Sequence, residues 1–277
     1  MRLQKLNAVV TGGARGIGKA IAGALAAEGA KVAIVDILED ELGATIEAFR
    51  CEGIDVRGYK ADITSITEVR QVADAILSEF KCVDILINNA GTFSVIGPIW
   101  EVDPTKWFRD IRVNLFGTFL MCNALVGGMV ERKSGYVINM ASSGGVSDPH
   151  AHMTSYATSK TGIVRLTEGL AKELQDFNVK VFAIGPPAIL TDMTRFIMND
   201  EGGQKWRPGF KEIFETGKNT DPDVICKLVV RLVSGDADAL SGRFIPGLVD
   251  LDATLEHIEQ VTKNELLLLR IRQLPNL

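Results

Sequence analysis

Short, almost wholly apolar runs alternate along the chain with longer segments in which apolar positions recur every three or four residues. An apolar run predicts a strand buried on both faces, whereas the longer period predicts a helix. The predicted strands are residues 6–11, 31–36, 56–60, 83–88, 135–140, 179–184 and 243–245. The predicted helices are residues 19–28, 39–52, 66–80, 105–131, 156–176 and 223–233. This alternation predicts an α/β fold, a doubly wound parallel sheet of about seven strands with helices on both faces, in a single domain spanning 1–277.

Two regions depart from this alternation. Residues 192–220 are rich in glycine and polar residues, yet they also carry large apolar side chains, which predicts a lid-like insertion; a mobile surface excursion is the alternative. Those side chains are Phe196, Met198, Trp206, Phe210 and Phe214. A C-terminal extension, about 248–277, contains the leucine run 266–269, which we predict as part of a helix. Its apolar face needs a partner, either the domain's own surface or another subunit.

Composition narrows the class of protein. A hydrophobic content of 46% with 27 glycines predicts a packed globular protein. The net charge of -5 gives no general attraction to nucleic acid or to an anionic membrane, so a small-molecule partner is expected. No apolar run is expected to be as long as a membrane span, and the N-terminus leaves no room for a signal peptide. Four scattered cysteines predict reduced thiols and a cytoplasmic protein, and three histidines without acidic ligand spacing predict no metal site.

The first predicted strand ends in a glycine-rich turn. Gly12, Gly16 and Gly18 lie where strand gives way to helix, so backbone amides there can approach a pyrophosphate. Asp36 ends the second strand, where its carboxylate can accept both ribose hydroxyls of NAD and would repel the extra phosphate of NADP. This pattern favours NAD(H) over NADP(H). Arg15 argues the other way, because its guanidinium could pair with a 2′-phosphate.

A second motif lies at the start of the fifth predicted helix. Tyr156 and Lys160 are four residues apart and share one helix face. A nearby ammonium favours the phenolate and draws the phenol pKa down from about 10, which makes Tyr156 a candidate acid and base. An upstream serine, Ser142 or Ser143, could hold a substrate oxygen beside that phenol. Taken alone, the pair is also that of an ordinary amphipathic helix.

In order and spacing, these motifs resemble the short-chain dehydrogenase/reductase family over about residues 6–191. The matching residues are Thr11, Gly12, Gly16, Gly18, Asp62, Asn88, Asn89, Ala90, Gly91, Asn114, Ser143, Tyr156 and Lys160. The resemblance implies a Rossmann fold and hydride transfer between NAD(H) and a secondary alcohol or ketone. It implies that Tyr156 exchanges the hydroxyl proton while Lys160 lowers its pKa and binds the ribose. Ser143, which has the family's usual offset from the tyrosine, is assigned over Ser142 to orient the substrate oxygen.

The resemblance also implies how the cofactor is held. Asp62 contacts the adenine, Thr191 faces the carboxamide, and the backbone of Asn114 helps to hold a water near the lysine. A satisfied helix-interior amide is the alternative for Asn114. The predicted cofactor-binding residues are Gly12, Arg15, Gly16, Ile17, Gly18, Asp36, Asp62, Ile63, Asn89, Ala90, Gly91, Tyr156, Lys160, Pro186 and Thr191.

Other features depart from the family or leave alternatives open. Pro186-Pro187 replaces the usual Pro-Gly and removes a backbone donor, and Phe182 replaces the usual asparagine. His150 and His152 either contact substrate or are exposed loop residues. The helices at 105–131 and 156–176 are apolar on more than one face, for which the resemblance implies a homodimer or homotetramer. Burial under the chain's own lid and tail is the alternative.

The leading hypothesis is therefore an NAD-dependent oxidoreductase acting on a secondary alcohol or its ketone. The apolar lid residues favour an apolar or alicyclic substrate. A 3-oxoacyl thioester reductase using NADPH is an alternative with the same fold. A cofactor-binding regulatory protein without activity is an alternative of another class, and Pro187 and Phe182 are the residues that favour it.

Overall fold

A computed structural model describes residues 1–147 and 150–270, and a single seven-stranded parallel sheet organises them in the order β3-β2-β1-β4-β5-β6-β7. The strands are β1 Asn7–Thr11, β2 Lys31–Asp36, β3 Val56–Lys60, β4 Ile85–Asn88, β5 Gly135–Met140, β6 Val179–Gly185 and β7 Phe244–Pro246. Strand order reverses between β1 and β4, so the connections leave the sheet in opposite directions and open a crevice at its carboxyl edge. The predicted doubly wound fold is confirmed.

Helices cover both faces of this sheet. They are α1 Gly16–Ala27, α2 Glu39–Cys51, α3 Ile66–Phe80, α4 Pro104–Asp110, α5 Thr118–Arg132, α6 Thr154–Leu174, α7 Asp192–Asn199, α8 Glu201–Trp206, α9 Pro208–Glu215, α10 Asp223–Val233, α11 Leu251–Glu256 and α12 Ile258–Lys263. One apolar layer lies between the sheet and α1, α2 and α10, and a second lies between the sheet and α3 and α5. The inner strands are buried on both sides, which is why they are continuous apolar runs in the sequence, whereas the edge strand β3 has only Val56 buried.

The long helix predicted at 105–131 changes its winding part-way along. Between α4 and α5, Ile111–Gly117 is π-helical, a form that is rare and frequent at functional sites. The whole stretch Pro104–Arg132 has a mean hydropathy of 1.6 and is long enough to cross a membrane, so the expectation that no apolar run reaches that length is wrong. Half of its most apolar window is buried inside this molecule, as in the core helix of a soluble protein.

The lid-like insertion at 192–220 consists largely of the short helices α7, α8 and α9. Ile197 packs with Phe93, Ile96 and Met153, and Trp206 and Phe210 pack against that group. We call these residues the lid cluster. Tyr156 is packed against the same cluster, so the insertion lies over the tyrosine and is not a detached surface excursion.

The C-terminal extension packs on the chain's own domain as far as residue 270. The helix predicted through 266–269 is wrong, because Glu265 and Leu267 have φ values of 49° and 63°, in the left-handed region that ends a helix. Phe244 donates its backbone N–H to the Leu267 carbonyl at 2.9 Å, and Leu269 donates to the buried carboxylate of Glu168 at 2.6 Å. Residues 271–277 of the predicted extension lie outside the described residues.

Candidate active site

A cleft of about 1040 Å³ lies at the carboxyl edge of the sheet, where the strand order reverses. Every residue predicted to bind the cofactor lines this cleft, from the glycine-rich turn to Tyr156, Lys160 and Thr191. Asn114 and Ser143 do not line it. The residues that the sequence motifs predicted to bind the cofactor therefore lie together around this cleft. Their individual roles toward a cofactor stay predictions.

The glycine-rich turn is packed too closely to accept side chains. Gly12 has a φ of 63°, and a Cβ there would stand 2.6 Å from the Ala90 Cα. A Cβ on Gly18 would stand 2.1 Å from the Gly12 carbonyl oxygen. The Asn89 amide donates to the carbonyls of Thr11 and Gly12, at 3.0 and 2.9 Å, and so fixes the turn. The resulting bare backbone before α1 fits a pyrophosphate.

The acidic residue at the end of β2 is buried and oriented. One carboxylate oxygen of Asp36 accepts the N–H of Ala14 and the other accepts the N–H of Leu38, each at 3.0 Å. Arg15 lies beside it, but its guanidinium pairs with Asp192 of the lid at 3.0 Å. Each Asp36 oxygen retains acceptor capacity for a ribose hydroxyl, since a carboxylate oxygen has two lone pairs.

The N-terminal part of α6 carries Tyr156 and Lys160 into the cleft. Lys160 is buried, its Nζ donates to the Met140 carbonyl at 2.7 Å, and it lies 5.6 Å from the centroid of the Tyr156 ring. Burial lowers the pKa of Lys160 to about 8, and the negative charge of Asp110 opposes that change.

Burial raises the pKa of Tyr156, contact with the Ser142 side chain lowers it, and the charge of Asp110 raises it further. The expectation that the neighbouring lysine brings this phenol below its usual pKa is therefore wrong for the geometry described. Desolvation of the phenolate has the larger effect, and the Lys160 ammonium donates its hydrogen bond to Met140 and not to the phenol.

The geometry favours Ser142 over Ser143, and the role of either serine stays a prediction. Ser142 follows β5 with extended backbone, and its side chain lies near enough to Tyr156 to lower the pKa of the phenol, whereas Ser143 is exposed and begins a short 3₁₀ turn. Gly144 donates its N–H to the Ser142 Oγ at 3.2 Å, which orients that oxygen. The number of residues before Tyr156 selected Ser143, but that count runs through an irregular loop. The number of residues after the end of β5 is the signal that favours Ser142.

Asn114 lies in the π-helical turn and is wholly buried. Its Oδ1 accepts the N–H of Thr92 at 2.7 Å, and its Nδ2 donates to the Thr92 carbonyl and to the Ser159 Oγ, both at 2.9 Å. The side chain thus ties the loop after β4 to α6. The backbone carbonyl of Asn114 accepts a hydrogen bond from the Thr118 hydroxyl at 2.7 Å. A role of this backbone in holding a water stays a prediction.

One buried carboxylate at the site was missed in the sequence. Asp110 is fully buried, and its two oxygens accept from the Ser155 hydroxyl at 2.6 Å and from the Ser94 N–H at 2.9 Å. Burial raises its pKa, and both hydrogen bonds oppose that change. Its position four residues before Asn114 is the signal that could have revealed it, because both side chains lie on one helix face.

Two stacked aromatic pairs lie at and near Tyr156. Phe93 stacks on Tyr156 with ring centroids 4.6 Å apart, and Trp206 of the lid stacks on His152 at 4.1 Å. His152 thus contacts the lid, His150 is exposed, and neither lines the cleft. No group of histidine, cysteine and acidic residues suited to a metal ion occurs within 1–147 and 150–270.

Some of the residues in and after β6 that depart from the family pattern lie outside the cleft. Pro186 lines it, but Pro187 packs toward Gly247, where a Cβ would stand 2.6 Å from the proline Cδ. Phe182 is wholly buried in the core layer under α10. Thr191 lines the cleft and also caps α7, since its hydroxyl accepts the N–H of Thr194 at 3.2 Å. Neither Pro187 nor Phe182 blocks the site.

Comparison with known proteins agrees with this arrangement. A family model described as short chain dehydrogenase matches residues 6–202. The chain is 34% identical over 241 residues to D-threitol dehydrogenase of Mycolicibacterium smegmatis, covering 87% of this chain and 90% of that one. The crystal structure of an NAD⁺-bound xylitol dehydrogenase matches with a TM-score of 0.81 and 28% identity, over 89% and 98% of the two chains. An actinorhodin polyketide ketoreductase with NADPH matches with a TM-score of 0.81 and 27% identity, over 89% and 96%.

Proposed function

The chain belongs to the short chain dehydrogenase family and is an NAD(P)-dependent oxidoreductase acting on CH–OH groups. We propose that it uses NAD(H) and acts on an apolar or alicyclic secondary alcohol or ketone. The observation that supports this most directly is the joint position of the glycine-rich turn, Asp36 and the Tyr156–Lys160 pair around one cleft. The bound nicotinamide supplies the hydride chemistry, and the protein aligns and polarises the reacting groups.

In this proposal the chain's own side chains move the proton. Tyr156 takes the hydroxyl proton during oxidation and returns it during reduction. Ser142 takes the role that the spacing had assigned to Ser143: its hydroxyl donates its single hydrogen to the substrate oxygen, and its contact with Tyr156 lowers the pKa of the phenol. Lys160, fixed by the Met140 carbonyl, supplies positive charge beneath the ring and a donor for the ribose. Asn114 braces the loop after β4 against α6 and so keeps these groups in register.

The preference for NAD(H) rests on charge at the end of β2. A buried carboxylate at Asp36 accepts hydroxyl donors and repels a 2′-phosphate. Arg15 is the residue that could favour NADP(H). Its Nη1 already pairs with the Asp192 Oδ2 at 3.0 Å and lies 4.0 Å from the Glu41 Oε1. Its charge is therefore shared with carboxylates of the same chain.

The substrate class rests on the lid cluster, whose aromatic and aliphatic side chains lie beside Tyr156. Apolar surroundings of this kind favour burial of an apolar body over a polyol. A second candidate, reduction of a 3-oxoacyl thioester with NADPH, is supported by the likeness to the NADPH-containing ketoreductase.

A panel of alicyclic, aliphatic and polyol secondary alcohols, assayed separately with NAD and NADP, tests this function. We expect turnover with NAD to exceed turnover with NADP, and alicyclic alcohols to exceed polyols in kcat/KM. Tyr156→Phe should abolish turnover while leaving NAD affinity nearly unchanged. Full activity of Tyr156→Phe contradicts the assignment of the acid and base. Preference for NADPH with 3-oxoacyl thioesters supports the second candidate.

We also propose a homodimer or homotetramer in the cytoplasm. An apolar surface cavity of about 580 Å³ is lined by Phe108, Ile111, Arg112, Leu115, Phe116, Phe119 and Leu166. Phe108 and Phe119 are 56% and 44% exposed, so neither the lid nor the tail covers this face within the described residues. The four free cysteines support a reducing compartment. Sedimentation equilibrium measures the assembly state.

A further inference from the structure

The junction between α8 and α9 holds a cation that the proton chemistry does not use. Arg207 is half-buried, its Nη1 lies 2.6 Å from the Met153 Sδ, and its guanidinium lies 5.8 Å from the centroid of the Phe210 ring. No carboxylate within residues 1–147 and 150–270 forms an ion pair with it at 4.0 Å or less. Partial burial of a charge without a counter-ion is costly, so the fold holds a half-buried cation beside apolar side chains without compensating it there.

Met153 connects this guanidinium to the reaction centre. The methionine is buried, and its methyl carbon lies 3.2 Å from the point where a Cβ on Gly144 would stand. Gly144 in turn donates its N–H to the Ser142 Oγ. Met153 also belongs to the lid cluster that packs against Tyr156. One flexible apolar side chain therefore separates the Arg207 cation from the loop that carries the substrate-orienting serine.

A half-buried guanidinium beside the apolar lid cluster matches a particular ligand chemistry. A planar guanidinium presents two parallel donors that fit the two oxygens of a carboxylate. We infer that Arg207 binds an anionic group of the substrate, so that the preferred substrate is a secondary alcohol or ketone with an apolar ring or chain and a carboxylate. This inference rests on the proposed function, because it assigns the substrate class of the same site. Burial also lowers the pKa of Arg207, in keeping with a charge held out of water.

Binding measurements test the anion site without requiring turnover. Calorimetric titration of the NAD-saturated enzyme compares cyclohexanecarboxylate with cyclohexanecarboxamide, which has nearly the same shape but no charge. We expect the carboxylate to bind about ten- to a hundredfold more tightly, the range for a hydrogen-bonded charge. Arg207→Gln should abolish that preference, whereas Arg207→Lys should retain part of it. Lys218→Gln, which removes an exposed cation of the same insertion, is the matched control and should retain all of it.

The outcomes separate the inference from the function on which it rests. Equal binding of the two ligands by the wild type overturns the anion site, and that comparison needs no variant. Equal loss of both ligands in Arg207→Gln, with unchanged melting temperature and NAD affinity, also overturns it. Cyclohexyl phosphate distinguishes the source of charge, since tighter binding of the phosphate than of the carboxylate contradicts a carboxylate substrate.

Turnover gives the second measurement. With NAD, we expect kcat/KM for 3-hydroxycyclohexanecarboxylate to exceed that for its carboxamide, and Arg207→Gln to lower only the former. If the carboxylate binds selectively but no secondary alcohol is oxidised, the proposed function fails and the anion site stands. If alcohols are oxidised with no dependence on charge, the function stands and the inference fails.

Discussion

The two sides of the cleft are built in different ways. On the cofactor side, Gly12, Gly18 and Asp36 occupy positions that the backbone itself fixes, at the ends of strands and the start of a helix. On the substrate side, the lid cluster combines side chains from four separate stretches of the chain, around residues 93–96, 153–156, 193–197 and 206–210. The first arrangement depends on local geometry, and the second depends on packing between distant segments.

This difference determines what a substitution does on each side. A Cβ on Gly18 would meet a backbone carbonyl that cannot move without disturbing β1, so the cofactor side tolerates little change. Packing in the lid cluster involves flexible side chains such as Met153, which can adjust. We therefore expect cofactor-side changes to affect folding or NAD affinity, and lid changes to affect KM and substrate choice.

The largest expected effect is a loss of kcat, and it distinguishes Ser142 from Ser143. Removing one preorganised donor from an oxyanion costs about 10²–10³ in kcat, so Ser142→Ala should lower kcat by roughly that factor. Ser143→Ala, the matched control, should retain near-wild-type kcat because Ser143 is exposed and does not reach Tyr156. Steady-state kinetics with a saturating alcohol measures both variants. A severe loss in Ser143→Ala with normal Ser142→Ala would restore the assignment by spacing and contradict the geometry.

The serines also show how far the sequence determines this fold and site. Strands β2 and β5 were predicted with their observed limits because their apolar runs are buried and bounded by polar residues. Strand β3 was also predicted with its observed limits, although only Val56 of it is buried. The proximity of Ser142 to Tyr156 could not be predicted, because the chain between the two residues passes through a loop with no periodic pattern. Arg207 and Asp110 were missed for a related reason. The spacing from Asp110 to Asn114 indicates a shared helix face, but the contacts of Asp110 and Arg207 arise where separate helices meet, and local spacing does not record those partners.

A second prediction compares an equal truncation in the two regions. Ile34 in β2 is wholly buried in the core, so Ile34→Ala should lower the free energy of unfolding by about 2–5 kcal/mol. Ile197 in α7 is 6% exposed, but it lies outside the sheet, so we expect the lid to open locally without unfolding the sheet. Ile197→Ala should therefore lower the global free energy of unfolding by under about 1 kcal/mol and mainly raise KM. Urea denaturation and steady-state kinetics measure the two effects. Equal loss of global stability would show that the lid and the sheet unfold as one unit.

The smallest expected effect concerns the pKa of Tyr156 and Asp110, the buried carboxylate beside it. Alcohol oxidation requires the phenolate, so its kcat/KM rises with pH through the tyrosine pKa, which burial and the Asp110 charge both raise. Asp110→Asn removes that charge and should move the rising limb to lower pH, by about half to one pH unit for a partly screened neighbouring charge. Ser142→Ala removes a contact that lowers the pKa, so its residual activity should show the opposite shift.

Asp103→Asn is the matched control, since it removes an exposed carboxylate that caps the same helix. Ketone reduction requires the protonated phenol, so its falling limb must move with the rising limb of oxidation in each variant. Limbs that move in opposite directions would assign the titration to a group other than Tyr156.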